Sequence, residues 1–226
     1  MCGRFVQFSS LRILEKYFNI QTAPDNIVPS YNIAPTQQVL AIVKSDDYQL
    51  QKFYWGLVPS WAQNLSGASR LINARVETLA TKPSFRAAFK RRRCLILADG
   101  FYEWKGEKGH KQPWFIALPS DQPLAFAGLW EIWKDRQAPP DQSDYRSCTI
   151  ITTEASESLR DIHHRMPVIL KPEAHEKWLD PQNQDVHQIE SILQTNIVRE
   201  FKRYPVSKRI NRIQNNSADN IEPQED

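Results

Sequence analysis

Cys94-Leu95-Ile96-Leu97-Ala98-Asp99-Gly100-Phe101-Tyr102-Glu103-Trp104-Lys105 reads as two strand-like runs, 94–98 and 101–105, broken at an Asp-Gly step. Outward from it, runs rich in β-branched and aromatic residues recur at 38–43, 48–54, 114–118, 125–129, 148–153 and 166–170. Helical spacing is rarer. Leu11, Leu14 and Phe18 follow a Ser9-Ser10 cap candidate, and Phe85, Ala88 and Phe89 follow Pro83. Pro172 opens a third helix through Trp178, and Val186, Ile189, Ile192 and Leu193 mark the apolar stripe of a fourth. Strands outnumber helices without regular βαβ alternation. The expected fold is therefore a single α+β domain with a curved, mostly antiparallel, barrel-like sheet core flanked by helices.

The 226 residues, 41% of them hydrophobic, suffice for one full core. Cys2, Cys94 and Cys148 form no CxxC pair, no charged-then-apolar leader stands at the start, and no run is long enough to span a bilayer. This reads as a soluble cytoplasmic protein, nucleoid-associated if prokaryotic, with no membrane partner. Residues 214–226 hold four acids and no Lys or Arg, and taking those charges from the formal +3 leaves +7 on the rest. The domain is expected over 1–213, followed by a polar, acidic and mobile tail over 214–226. The cationic surplus clusters at Lys90-Arg91-Arg92-Arg93 and between Arg199 and Arg212, which suits a polyanion. Residues 135–144, rich in Pro, Asp and Gln, read as a surface loop.

The reactive candidates begin at Met1-Cys2-Gly3-Arg4-Phe5. Removal of Met1 would leave an α-amine and a thiol on one residue. An α-amine titrates near ~7.7–8, against ~10.4 for lysine, so a useful fraction is nucleophilic at neutral pH. It can attack an aldehyde, and the thiol can then close a five-membered thiazolidine. Glu103 alternates onto one strand face with Phe101 while Tyr102 and Trp104 take the other, so a partly apolar setting would raise its pKa and suit it to proton transfer. His163, before the Met166-Pro167 strand start, is a candidate acid or base. Its neighbour His164 raises a metal alternative, but no Asp, Glu or Cys stands at zincin or zinc-finger spacing, and neither metal nor cofactor is expected. Asn73 can donate and accept hydrogen bonds, and Arg75, two residues on, can contact a phosphate beside it. Trp55 in Trp55-Gly56-Leu57-Val58-Pro59-Ser60-Trp61 reads as core; Trp61, at the polar edge, can stack on an unpaired base.

Six segments together resemble the SRAP (SOS response-associated peptidase) family of abasic-site processing proteins: Cys2-Gly3-Arg4-Phe5, Tyr31-Asn32-Ile33-Ala34-Pro35, Trp55-Gly56-Leu57-Val58-Pro59, Asn73-Ala74-Arg75-Val76-Glu77-Thr78, Asp99-Gly100-Phe101-Tyr102-Glu103-Trp104 and His163-His164-Arg165-Met166-Pro167. The resemblance implies a mature N-terminal cysteine that joins the ring-opened abasic sugar of single-stranded DNA as a thiazolidine, shielding the lesion from cleavage. It implies Cys2 as nucleophile, Asn73 as the positioning group, Glu103 as proton shuttle and His163 as a second acid or base. It further implies that Arg4, Arg75 and Arg165 hold phosphates while Asn32, Pro35 and Trp61 lie against sugar and bases, in a monomer acting at single-stranded sites or single-strand/double-strand junctions. Trp61-Ala62 departs from relatives with two adjacent aromatics there. With only Met1 before Cys2, ordinary methionine removal could replace self-cleavage of a leader.

Two other readings stand beside it, the first of them on the same residues. A cysteine peptidase, self-processing or in trans, would pair Cys2 with His163 and needs no free α-amine. A non-catalytic single-strand or RNA-binding module would rely on the basic clusters and Trp61. The crosslinking reading, with associated Schiff-base lyase chemistry and no general protease activity, uses every reactive group named above.

Overall fold

The computed structural model describes residues 2–107, 109–135, 137–139 and 143–224. Its strands are β1 (Phe5–Gln7), β2 (Ser30–Ile33), β3 (Gln38–Lys44), β4 (Tyr48–Trp55), β5 (Asn73–Arg75), β6 (Arg93–Ala98), β7 (Gly100–Lys105), β8 (Gln112–Ala117), β9 (Leu124–Lys134), β10 (Asp144–Glu154), β11 (Arg165–Pro167) and β12 (Lys202–Pro205). The α-helices are α1 (Leu11–Phe18), α2 (Arg86–Arg91), α3 (His175–Leu179) and α4 (Val186–Thr195). Among the described residues no helix is long and apolar enough to cross a membrane.

Two sheets form the α+β domain. One is antiparallel throughout, in the order β12-β8-β7-β1-β2. In the other, β10-β4-β3-β6-β9 closes back on β10 as a five-stranded barrel, antiparallel except at the β4–β10 junction. Closure removes the open edges that an apolar sheet would otherwise expose. The long β10 also carries β5, parallel, and β11, antiparallel.

The opening stretch divides between these sheets: β6 belongs to the barrel and β7 to the open sheet, and the chain crosses at Asp99. Asp99 accepts from the backbone of Phe8 (2.6 Å) and Ser9 (2.9 Å), fastening the crossing to the end of β1. A Cβ on Gly100 would stand 2.4 Å from the Phe115 ring, so the crossing requires glycine. Phe5 of β1 meets Trp55 at 5.0 Å and Phe126 of β9 at 5.6 Å, both edge-on, and these rings seal the open sheet onto the barrel.

All four helices form on their expected apolar faces: Leu14 and Phe18 of α1, Ala88 and Phe89 of α2, Trp178 and Leu179 of α3, and Ile189, Ile192 and Leu193 of α4 are buried. Ser10 occupies the N-cap position of α1 without a side-chain capping bond; the Ser9 hydroxyl bonds Asp99 instead. The 166–170 run shortens to β11, after which Ile169 and Leu170 make isolated bridges to Phe126 and Ile197.

Three expectations are corrected. The segment after Gln214 is ordered through Gln224: Asn220 is buried, Asn216 accepts from Tyr31 N at 2.6 Å, and Pro223 bridges Val206. Its polar side chains bond the body, which composition read as mobility. Within the Lys90–Arg93 cluster, Arg93 is buried and donates to the carbonyls of Trp178 (2.6 Å), Lys90 (2.7 Å), Asn183 (2.9 Å), Phe89 (3.0 Å) and Asp180. It ties α2 to α3, and Arg92 pairs with Glu131 at 2.7 Å, so half the cluster is structural. Lastly, β9 and β10 pair up to Lys134 and Asp144, narrowing the loop expected over 135–144; positions 136 and 140–142 of it lie outside the described residues.

Candidate active site

The register of β1 decides where the chain's start lies. Phe5 opposes Phe101 and the Tyr102 N–H donates to Arg4 O at 2.9 Å, so antiparallel pairing runs Gly3 and Cys2 alongside Glu103. From the barrel side, β5 pairs Asn73 with Ile150 of β10, and the Asn73 amide donates to Cys2 O at 2.8 Å. The groups meet where the two sheets join, and the site needs both.

Cys2 is fully buried, and burial, reinforced by the negative field of Glu103, pushes its thiol well above the ordinary range. Glu103 is 5% exposed and burial raises its pKa, as the alternation of β7 predicted: Phe101 joins the main core while Tyr102 and Trp104 pack with a second cluster. His163 is half-buried on the segment between β10 and β11. Burial lowers its pKa to about 4, so the ring is neutral at neutral pH. Its Nδ1 accepts from the Arg165 N–H at 2.9 Å, which assigns the remaining ring proton to Nε2. His164 stacks on it with ring centroids 4.4 Å apart.

The expected DNA contacts divide. Arg75 is exposed and lines a cleft of about 370 Å³ with Glu154, Ala155, Arg160, His164 and Arg165. Arg160 escaped sequence reasoning, since a lone arginine in a polar turn carries no spacing signal. Trp61 is 66% exposed and lines a separate hollow of about 540 Å³ with Trp133 and Lys134. Gly56, at φ +139°, starts this loop where a Cβ would lie 2.5 Å from Ala68 O. Trp55 is core, its indole donating to Ile72 O at 2.9 Å. Pro35 is half-buried in a turn closed by Gln37 N–H to Ala34 O at 3.3 Å.

Asn32 and Arg165 are both buried and bond other parts of the chain. Asn32 is 1% exposed and donates to the carbonyls of Asn215 (2.7 Å), Arg212 (3.1 Å) and Ile210 (3.2 Å), so it anchors the C-terminal segment. Arg4 shares that junction: half-buried, it donates to Asn32 Oδ1 at 2.6 Å and Ile210 O at 2.7 Å. Arg165, 8% exposed, grips Glu77 bidentately at 2.6 and 3.1 Å and donates to Thr152 O at 2.6 Å. Its two terminal nitrogens hold the His163 segment, a role that sequence reasoning missed together with Glu77. Among the described residues, no cluster of three or more His, Cys, Asp or Glu could hold a metal ion.

The family model described as SOS response associated peptidase (SRAP) matches residues 1–213. The chain belongs to this family. Among relatives, it is 43% identical over 226 residues to "Abasic site processing protein YoqW" of Bacillus subtilis, covering 98% of this chain and 99% of that one. It is 33% identical to "Abasic site processing protein YedK" of Escherichia coli over 99% of this chain and all of the relative. Among solved structures, two share the fold seen here. A Bacteroides thetaiotaomicron protein aligns with TM-score 0.77 at 26% identity over 92% of this chain and 93% of its own. A phage-related Bordetella bronchiseptica protein aligns with TM-score 0.70 at 30% identity over 92% and 95%.

Proposed function

We propose that this SRAP protein processes abasic sites in DNA, and that with Met1 removed it captures the ring-opened sugar in single-stranded DNA through Cys2. The observation that carries the reading is the 2.8 Å bond from Asn73 to the Cys2 carbonyl beside buried Glu103, with neutral His163 across the sheet junction. The printed names of the relatives support the substrate class.

The steps balance without an external oxidant or reductant. The Cys2 α-amine attacks the C1′ aldehyde to give a carbinolamine, and loss of water gives an imine. The Cys2 sulfur then bonds the imine carbon, its proton passing to nitrogen, and the thiazolidine closes. A buried thiol held in its protonated form needs a base at that moment, and Glu103, whose burial lifts its proton affinity, is suited to take and return the proton. Asn73 fixes the Cys2 backbone and so aims amine and sulfur together. His163, with its proton on Nε2, serves the sugar oxygen in ring opening and in reversal. An imine also acidifies C2′, which is the route to lyase cleavage, and ring closure removes that route. Arg75 and Arg160 suit phosphates flanking the sugar, and Trp61 suits an unstacked base. The raised pKa of Cys2 speaks against a peptidase of the thiolate–imidazolium type, whose cysteine is more acidic than usual.

The test uses protein whose mass shows Cys2 at its start and a single-stranded oligonucleotide with one abasic site. A denaturant-stable adduct should form, vanish in Cys2→Ala and be blocked by acetylation of the α-amine. An undiminished adduct in Cys2→Ala would refute the assignment.

A further inference from the structure

His163 and Glu103 lie on different parts of the fold. Glu103 lies on β7 of the open sheet, and His163 lies on the 155–164 segment between β10 and β11 of the barrel assembly. That segment is folded on itself by short-range bonds, Ile162 N to Leu159 O at 2.9 Å and His163 N to Leu159 O at 3.0 Å among them. No strand pairing joins it to β7 among the described residues, so side chains make the contacts between them, Leu159 and Ile162 sharing a core with Phe101.

Asp161, two residues before His163, supplies such a link. Its Oδ2 accepts from Lys105 Nζ at 2.7 Å, and its Oδ1 accepts from Arg203 Nη1. Lys105 stands two residues after Glu103 on β7, hence on the same face, and Arg203 lies on β12 of the same sheet. Both cations sit against one ring: Lys105 Nζ is 5.6 Å and the Arg203 guanidinium 5.8 Å from the centroid of Trp114, the residue paired with Glu103 in the β7–β8 ladder. On the other flank, Arg165, two residues after His163, grips Glu77. The His163 segment is thus held at both ends, and the Asp161 end reaches the sheet that carries Glu103.

We propose that Asp161 is a positioning residue: its carboxylate, bridging Lys105 and Arg203 over Trp114, fixes the His163 segment relative to Glu103. The assignment rests on the proposed roles of those two residues. The clamp stays charged through the working range, since Lys105 and then Arg203 hold the Asp161 pKa at about 2. Only salt or mutation loosens it. An exposed network of this kind adds little to global stability, so its effect belongs to local geometry.

The experiment compares wild type, Asp161→Asn, Lys105→Gln and the double variant. Hydrogen exchange of residues 156–164 is measured without DNA, and adduct formation with the abasic oligonucleotide is followed in parallel. Asp161→Asn should speed exchange in that segment about tenfold and slow adduct formation about five- to tenfold, with Tm and single-strand affinity unchanged. The double variant should be no slower than Asp161→Asn, and wild-type exchange should approach the variant's in 1 M salt, where the Debye length is only ~3 Å. Unchanged exchange in Asp161→Asn overturns the clamp, and faster exchange with an unaltered adduct rate overturns its positioning role. A wild type that forms no adduct is a separate failure, visible before any variant is read, and it sinks the crosslinking reading while the exchange result still decides the clamp.

Discussion

Replacing Asn73 with alanine isolates the contact on which the proposed chemistry turns. The Asn73 amide donates to the Cys2 carbonyl at 2.8 Å, and that carbonyl belongs to the Cys2–Gly3 peptide, so it survives removal of Met1. Cys2 is fully buried, and loss of the donor strands an acceptor with little access to water. A stranded buried acceptor costs ~1–3 kcal/mol, which spans about 5- to 150-fold in a rate that depends on the bound geometry. Because Asn73 is only half-buried and water can enter the vacated space, we place the expected loss near the lower end, at about tenfold. The assay is single-turnover adduct formation on an abasic oligonucleotide, resolved on denaturing gels, with strand affinity measured in parallel. Affinity should hold within about twofold, since Asn73 acts on the protein's own backbone. Asn73→Asp, which turns an acceptor toward the carbonyl, should be slower still. A rate within about twofold of wild type in Asn73→Ala, at unchanged Tm, would show that the carbonyl needs no such anchor.

Three further outcomes follow from other parts of the structure. Arg93→Met, which removes the donor to five backbone carbonyls, should cost ~3–5 kcal/mol of stability in urea unfolding, although a surface reading of the basic cluster expects almost none. His163 titrates at about 4 when folded against ~6.5 unfolded, so between those values the unfolded chain binds more protons and stability must rise with pH; His163→Gln should flatten that slope in urea midpoints taken at pH 4.5 and 6.5. Trp61→Ala should leave Tm unchanged, because the ring is 66% exposed, and should weaken single-strand binding by ~1–3 kcal/mol in fluorescence anisotropy.

The chain announced its periodic parts and concealed its short ones. Runs such as 38–43 and 48–54 became β3 and β4 because a continuous apolar run in the first, and an alternating one in the second, of six or more residues registers in the sequence. β1, β2, β5 and β12 span only three or four residues and owe their existence to partners far along the chain, so local pattern could not reveal them. The same limit applied at the site. Glu103's burial followed from strand alternation, and Asn73 and His163 from motif context. Whether an arginine faces solvent or a carbonyl is a tertiary fact: Arg93 and Arg165 look like surface charge in sequence, and both prove to be buried donors. The burial of Asn32 is hidden for a like reason, its acceptors lying almost two hundred residues downstream.

For the proposed chemistry, the position of β1 between β2 and β7 also sets a clock on removal of Met1. The strand behind Cys2 cannot zip into place until residues near 100 have been synthesised, because Phe101 is one of its two neighbours. At roughly 5–20 residues per second, the nascent amino terminus stays loose for on the order of 5–20 s. An enzyme that trims methionine meets a loose terminus in that interval, whereas one arriving later meets a Cys2 that is fully buried. Translation speed and trimming speed would then compete, and any delay in trimming would leave a share of molecules folded with the α-amine of the proposed chemistry still blocked.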